Sequence, residues 1–196
     1  QDANGNNLAQ NGQGLFSNDQ RANFESITGI NLDYTPLDEV NRGFTNTNGL
    51  SARLTASLSV DLFKGLKYEG TYGYFHENNK RESFDASDSY DVRTDRIFFT
   101  QPGTNPGDAP TFLLPQQGGY YGTTDVFVKN WTLRNQLSYN GNFSDGLHKI
   151  TAIAGYESQE QLTNNRNTFS RGYNPITQIA AILDYETLSG GVRNTL

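Results

Sequence analysis

The sequence predicts an all-β fold in which antiparallel strands form part of a large transmembrane β-barrel with long extracellular loops. Three observations lead to this fold class. Apolar and polar side chains alternate without interruption, the alternating stretches are longer than globular strands, and short turns are separated by long loops. The 196 residues have a mean hydropathy of -0.68, which barrel strands allow because every second residue faces water.

Residues 1–47 are predicted as a loop. They open with QDANGNNLAQNGQG, in which Asn, Gln and Gly leave almost no apolar side chain to bury. Around residues 27–34 a weak alternation predicts at most one short strand, which Pro36 interrupts.

The first long strand is predicted over residues 50–62. Every even position is apolar, and most odd positions are polar, including Arg53 and Asp61. A strand that crosses a bilayer needs about 9–11 residues, whereas globular strands usually have about 5–6. We therefore expect the even side to touch lipid and the odd side to face a water-filled lumen. The predicted lipid-facing residues of this strand are Leu54, Leu58, Val60 and Leu62.

A tight turn at 63–66 and a return strand over 67–78 follow. Gly65 supplies the positive φ that a tight hairpin needs. Tyr68, Tyr72 and Tyr74 share one face of the return strand, as in the aromatic girdle of a membrane barrel. The same stripe also fits the half-buried aromatic face of a soluble sheet, so this hairpin alone leaves both interpretations open.

Residues 79–125 are predicted as a long extracellular loop rich in Asp, Gly and Pro. An unstructured connection of that length is uncommon in a compact soluble domain and ordinary on the outer side of an outer-membrane barrel. Tyr120 and Tyr121 lie among glycines in this loop. They are candidate contacts for a ligand or a partner, because Tyr offers an apolar ring with a polar tip. The alternative is that both are girdle residues.

A second hairpin is predicted from strands over 126–143 and 148–161, joined at 144–147. Leu133 and Leu137 belong to the apolar side of its first strand and are predicted to face lipid. Residues 162–196 are predicted as another loop, in which Tyr173 is the third candidate contact. Both short turns are expected to face the periplasm.

Four long strands are too few to close a barrel, since known barrels have eight or more. We therefore expect a segment of a larger barrel. The chain has no Met and no signal peptide, which favours a mature or internal part of a longer protein. The absence of Cys excludes disulfides and thiolate metal sites. The net charge of -6 argues against a nucleic-acid partner.

No catalytic or cofactor-binding motif is recognisable, so we expect neither an enzyme nor a cofactor. One acidic run, with arginines interleaved, lacks the spacing of a known calcium loop. It is predicted to be a solvated loop and not a metal site. Its members are Asp85, Asp88, Asp91 and Asp95.

The two hairpins carry motifs of a known family. Their sequences are GLSARLTASLSVDLFKGLKYEGTYGY and WTLRNQLSYNGNFSDGLHKITAIAGYESQEQ. In the second, L-x-Y-N-x-x-F from Leu137 turns into H-x-I-T-A-x-A-G-Y from His148. Over roughly residues 36–175, the chain resembles the barrel region of SusC/RagA-type TonB-dependent outer-membrane transporters.

The resemblance implies a barrel of about 22 strands filled by an N-terminal plug, which is not present in this stretch. It implies TonB-dependent active import of nutrients, either oligosaccharides or peptides, across the outer membrane of a Bacteroidetes-like Gram-negative cell. The implied partners are a SusD-like lipoprotein at the extracellular face, the TonB complex acting through the plug, and outer-membrane lipid. Two alternatives stay open: a soluble carbohydrate-binding β-sandwich module, and a passive porin or adhesin barrel.

Overall fold

The computed structural model describes residues 1–105, 107–143 and 146–189, and the chain forms two compact units. The sheet unit consists of Thr47–Lys80 and Thr124–Arg166. The helical unit consists of Gln1–Asn46, Arg81–Thr123 and the described part of Asn167–Leu196. With 53% strand and 17% helix, the fold is mostly antiparallel β-sheet.

The strands of the chain are β1 Gly43–Phe63, β2 Leu66–Asp85, β3 Thr100–Gln101, β4 Thr111–Phe112, β5 Gly119–Phe143 and β6 His148–Tyr173. The four long strands form one sheet in the order β1-β2-β5-β6. The sheet is an up-and-down meander, because neighbours in it are also successive long strands of the chain. The two very short strands, β3 and β4, pair separately and antiparallel.

The long strands contain 21, 20, 25 and 26 residues, and each extends beyond its predicted bounds. β1 begins seven residues earlier than predicted, β2 ends seven later, β5 begins seven earlier and β6 ends twelve later. The extensions are mostly polar, so they lack the regular apolar alternation that marks a strand in sequence. Lys64 and Gly65 alone separate β1 from β2, and Gly65 has φ 83°. In the other predicted turn, Ser144 and Asp145 lie outside the described residues.

The sheet unit has no buried residue among those described. On β1, for example, Leu50 and Leu58 are 67% and 59% exposed. A sheet in a water-soluble domain normally covers at least one face with other side chains. The described part of this unit provides no such cover for its apolar side chains.

The helical unit occupies much of the sequence predicted as loops. Its helices are α1 Asn18–Thr28, α2 Pro36–Glu39, α3 Tyr90–Phe98 and α4 Tyr185–Ser189, with a 3₁₀ turn at Asn11–Gln13. α1 begins after Ser17, whose hydroxyl accepts the backbone N–H of Gln20 while the Gln20 side chain accepts the N–H of Ser17. It ends at Gly29, which has the left-handed conformation common at helix ends. None of the described helices is long and apolar enough to cross a membrane.

An interior core holds the helical unit together. Leu32 and Ile97 are 1% and 2% exposed and pack with Phe16 and Phe24. The Phe16 ring lies 5.0 Å from the Phe24 ring and 5.6 Å from the Phe98 ring. Burial of these side chains joins the N-terminal residues to α3 and explains why the connecting segments fold.

Arg96 of α3 fixes the chain before β5. Its Nε donates to the carbonyl of Pro115 at 2.9 Å, and its two terminal nitrogens donate to Ser87 and Gly118 carbonyls at 3.0 Å. Burial lowers the pKa of Arg96, against a smaller opposing effect of Tyr120. One buried guanidinium thus ties segments on both sides of α3 to the helix.

Candidate functional site

The first face of the sheet unit is the one that carries the predicted lipid-facing leucines, and we call it the leucine face. It comprises the even positions of β1, β2 and β6 and the odd positions of β5 within the sheet unit. Contacts between neighbouring strands join residues of this set. They are His76–Phe127 (4.9 Å between rings), Lys129–Tyr74 (5.9 Å to the ring), Tyr68–Asn135 (2.6 Å) and Trp131–Glu160 (2.9 Å).

The opposite face, here the polar face, is linked in the same way. The Arg53 guanidinium lies 5.2 Å from the centre of the Phe75 ring. Gln136 donates to Glu69 at 3.4 Å, and Thr151 donates to Asn140 at 2.9 Å. Both sets of contacts follow the alternation read from the sequence. These contacts establish which residues share a face of the sheet.

The six predicted lipid-facing residues all lie on the leucine face of the sheet unit, and all are exposed. Their exposed fractions run from 37% for Leu133 to 59% for Leu54 and Leu58. The remaining members are Val60, Leu62 and Leu137. These aliphatic side chains lie at alternate positions of β1 and β5, and β2 lies between those two strands. Tyr68, Tyr72 and Tyr74 of β2 share the same face and complete an apolar surface between them.

The structure places Tyr120 in the interior of the helical unit. Its side chain is buried, and its hydroxyl donates to the carboxylate of Asp95 on α3. Burial, and then the hydrogen bond to Asp95, raise the pKa of Tyr120 far above its ordinary value. A ring held in this way supports the fold. It does not offer the exposed surface that the sequence suggested for a ligand or partner contact.

Arg171 completes this buried arrangement. Its Nε donates to the same Asp95 carboxylate at 3.0 Å. Its guanidinium lies 5.1 to 5.7 Å from the ring centres of Phe169, Tyr120 and Phe99. Burial alone would lower the pKa of Arg171, but the hydrogen bonds to Tyr120 and Asp95 raise it overall. The cation is stabilised by cation–π contacts with the rings and by a charge-assisted hydrogen bond to the carboxylate.

Tyr121 and Tyr173 meet each other. Their rings stack 4.4 Å apart at an angle of 16°, so each covers one face of the other. The Tyr121 hydroxyl donates to Glu82 at 3.0 Å. Both positions are odd, although Thr123 pairs with the even position Thr168. The left-handed φ of 67° at Gly172 accompanies this change of alternation, as in a β-bulge. Their role as candidate contacts stays a prediction.

Two members of the acidic run are held in ion pairs. Asp95 is held by Tyr120 and Arg171, and Asp88 pairs with Arg42 at 3.3 Å. Burial, followed by Asp91 and Glu39, raises the pKa of Asp85. No cluster of three or more His, Cys, Asp or Glu side chains suited to a metal ion occurs among the described residues.

A scan against protein-family models finds no match to this chain. A search of curated proteins finds no match either. The resemblance drawn from the two hairpin motifs therefore rests on those residues alone.

Proposed function

We propose that this chain is a segment of the wall of an outer-membrane, TonB-dependent active transporter. The observation that carries the proposal is the leucine face, an apolar surface on strands of 20 to 26 residues that no described residue covers. At roughly 3.3 Å per residue, a 20-residue strand extends about 65 Å. This is ample for a tilted crossing of a hydrocarbon layer about 30 Å thick.

On this proposal, lipid covers the leucine face and removes its apolar side chains from water. Burying a leucine side chain is worth roughly 1.5–3 kcal/mol, so a face of exposed leucines in water loses that free energy at each one. Soluble monomers rarely expose apolar patches larger than a few hundred Å². In a bilayer the same side chains contact acyl chains, while the polar face, with Arg53, Glu69 and Gln136, contacts water.

The arrangement of the sheets argues against the soluble β-sandwich. A sandwich needs a second sheet whose inner face covers the first. Among the described residues, the second sheet consists of β3 and β4, which have two residues each and belong to the helical unit. The four long strands thus supply one sheet with two exposed faces. Further strands at the edges of β1 and β6 would complete a barrel wall.

The transport activity rests on the resemblance of the hairpin motifs to SusC/RagA-type transporters. On this proposal the barrel imports oligosaccharides or peptides with energy delivered by TonB through a plug. A SusD-like lipoprotein contacts the extracellular side. On this proposal, the turn at Lys64 and Gly65 faces the periplasm. A passive porin or adhesin barrel shares the wall but needs no TonB energy.

The experiment follows the full-length protein in its own cells. We expect it in the outer-membrane fraction, and we expect uptake of its nutrient, found by growth screening on oligosaccharides and peptides, to stop when TonB is deleted. Uptake that continues without TonB would favour the passive barrel. Recovery of the protein in a soluble fraction would contradict the membrane proposal altogether.

A further inference from the structure

The leucine face continues beyond its leucines into a polar groove. This open groove lies within the sheet unit and has a volume of about 680 Å³, which is within the range of small-molecule sites. Every lining residue except Asn165 occupies a leucine-face position. The lining residues are Asn78, Asp125, Phe127, Asn164, Asn165 and Arg166.

The polar side chains of the groove are free to bind a ligand. In the described part of the chain, no side-chain hydrogen bond or ion pair is formed by Asn78, Asp125, Asn164 or Arg166. Amides both donate and accept, the carboxylate accepts, and the guanidinium donates. The single Asp and the single Arg balance in charge. The groove therefore suits an uncharged group rich in hydroxyls, such as a sugar ring, more than an isolated anion or cation.

Phe127 adds an apolar ring to these polar groups. Its one ring neighbour among the described residues is His76, which meets it edge to face at 4.9 Å and 68°. The side chain of Phe127 is only half-buried, so part of it is accessible to a ligand. A sugar ring presents hydroxyls at its rim and C–H groups on its face, and an aromatic ring with amides around it matches both.

The position of the groove along the strands matches the membrane surface. Asn78 follows Tyr74 by four residues on β2, and Phe127 precedes Trp131 by four on β5. Four residues span about 13 Å along a strand, or about 9 Å along the membrane normal at a tilt of roughly 45°. Tyr and Trp mark the edge of the hydrocarbon layer. The groove then lies about 9 Å beyond that edge, just outside lipid head groups that are roughly 5–8 Å thick on each side, where the sugars of a glycolipid would stand.

We propose that this groove binds the saccharide head group of a glycolipid in the outer leaflet. The inference rests on the proposed membrane function. A membrane-anchored sugar fits better than a soluble one, because the groove opens on the face whose leucines we assign to acyl chains. In a ligand with a sugar head group and acyl chains, the sugar can bind in the groove while the acyl chains contact the leucine face.

The test uses the full-length transporter purified in detergent and analysed by native mass spectrometry. The probes are a short-chain lipopolysaccharide and, as a lipid without sugar, phosphatidylethanolamine. We expect the double variant Phe127→Ala/Arg166→Gln to retain about tenfold less lipopolysaccharide than the unchanged protein, from the loss of an aromatic contact and hydrogen bonds. Retention of phosphatidylethanolamine should not change. The matched control is Val128→Ala/Arg134→Gln on the polar face, which should leave both retentions unaltered.

Equal lipopolysaccharide retention by the double variant would overturn the inference. So would equally strong competition by the delipidated oligosaccharide, since the ligand would then be a soluble sugar. Membrane fractionation precedes these measurements. Failure to reach the outer membrane contradicts the proposed function, whereas a correctly inserted protein without selective glycolipid retention contradicts this inference alone.

Discussion

The helical unit buries apolar side chains in an interior core, whereas the sheet unit leaves its apolar side chains exposed. Every buried residue of the described chain lies in the helical unit, where Phe16, Phe24, Leu32 and Ile97 pack together. The sheet unit buries none of its described residues and exposes leucines at alternate positions. The first unit carries its own apolar interior, as a protein in water does. The second leaves its apolar side chains uncovered, and we propose that lipid surrounds them.

The largest effect is expected from Arg96→Ala in the helical unit. The change removes a charged donor from the Ser87, Pro115 and Gly118 carbonyls. It should lower the stability of this unit by about 3 kcal/mol or more. Limited proteolysis in urea measures the loss, while the leucine face should remain membrane-inserted. The control is Arg81→Ala, at an exposed arginine of the same unit. Equal losses of stability in the two variants would contradict the conclusion that buried contacts such as those of Arg96 hold this unit together.

The next largest loss of stability is expected from a charge placed on the leucine face. Leu58→Arg is expected to lower the free energy of unfolding of the reconstituted barrel by up to about 2–4 kcal/mol, because the guanidinium enters hydrocarbon. Thr55→Arg, on the polar face of the same strand, should be tolerated. Denaturant unfolding in lipid vesicles compares the two. Equal tolerance at both positions would refute the assignment of the faces.

Gly172→Ala probes the bulge near the end of β6. Gly172 has φ 67°, and a Cβ there would lie 2.7 Å from the Ala181 Cβ and 2.8 Å from the Pro115 Cγ. The left-handed conformation alone costs an alanine about 1–2 kcal/mol. Thermal unfolding of the helical unit should shift downward accordingly. Gly12→Ala, where φ is not positive and a Cβ meets nothing within 4 Å, should leave the unfolding temperature unchanged; a similar shift there would remove the special role of Gly172.

The smallest effect is expected from Asp85→Asn. Burial and the neighbouring Asp91 and Glu39 raise the pKa of Asp85 above its ordinary value of 3.8. An acid with a raised folded pKa binds its proton more tightly when folded, so its contribution to stability falls as pH rises from the unfolded pKa through the folded one. Asp85→Asn should therefore stabilise the helical unit at pH 7 and lose this advantage below pH 3.8. Hydrogen exchange at Ala86 measures the difference, and an advantage that persists in acid would contradict the mechanism.

The sequence predicted the middle of each long strand and the residues that share its faces. It did so because apolar and polar side chains alternate there, as from Leu50 to Leu62. The strand ends escaped prediction, since backbone pairing extends a strand whether or not its side chains alternate. At β6, for instance, twelve residues beyond 161 belong to the strand.

The helical unit was predicted as loops for a different physical reason. α1 carries a readable start signal in Ser17 and Gln20, but it buries only Phe24 and so shows no apolar stripe. The arrangement around Tyr120 had no signal at all. Asp95 and Arg171 are 76 residues apart in sequence, and only the tertiary fold brings them to the same ring.

The most direct test of the central claim is the accessibility of β1 in a bilayer. Single cysteines at positions 50 to 62 of the full-length barrel, each carrying a nitroxide, are measured by electron paramagnetic resonance with oxygen and with a water-soluble nickel chelate. These 196 residues contain no native cysteine. We predict high oxygen accessibility at even positions and high nickel accessibility at odd ones. Equal nickel accessibility along the whole strand would show that the leucine face meets water, and would contradict the account.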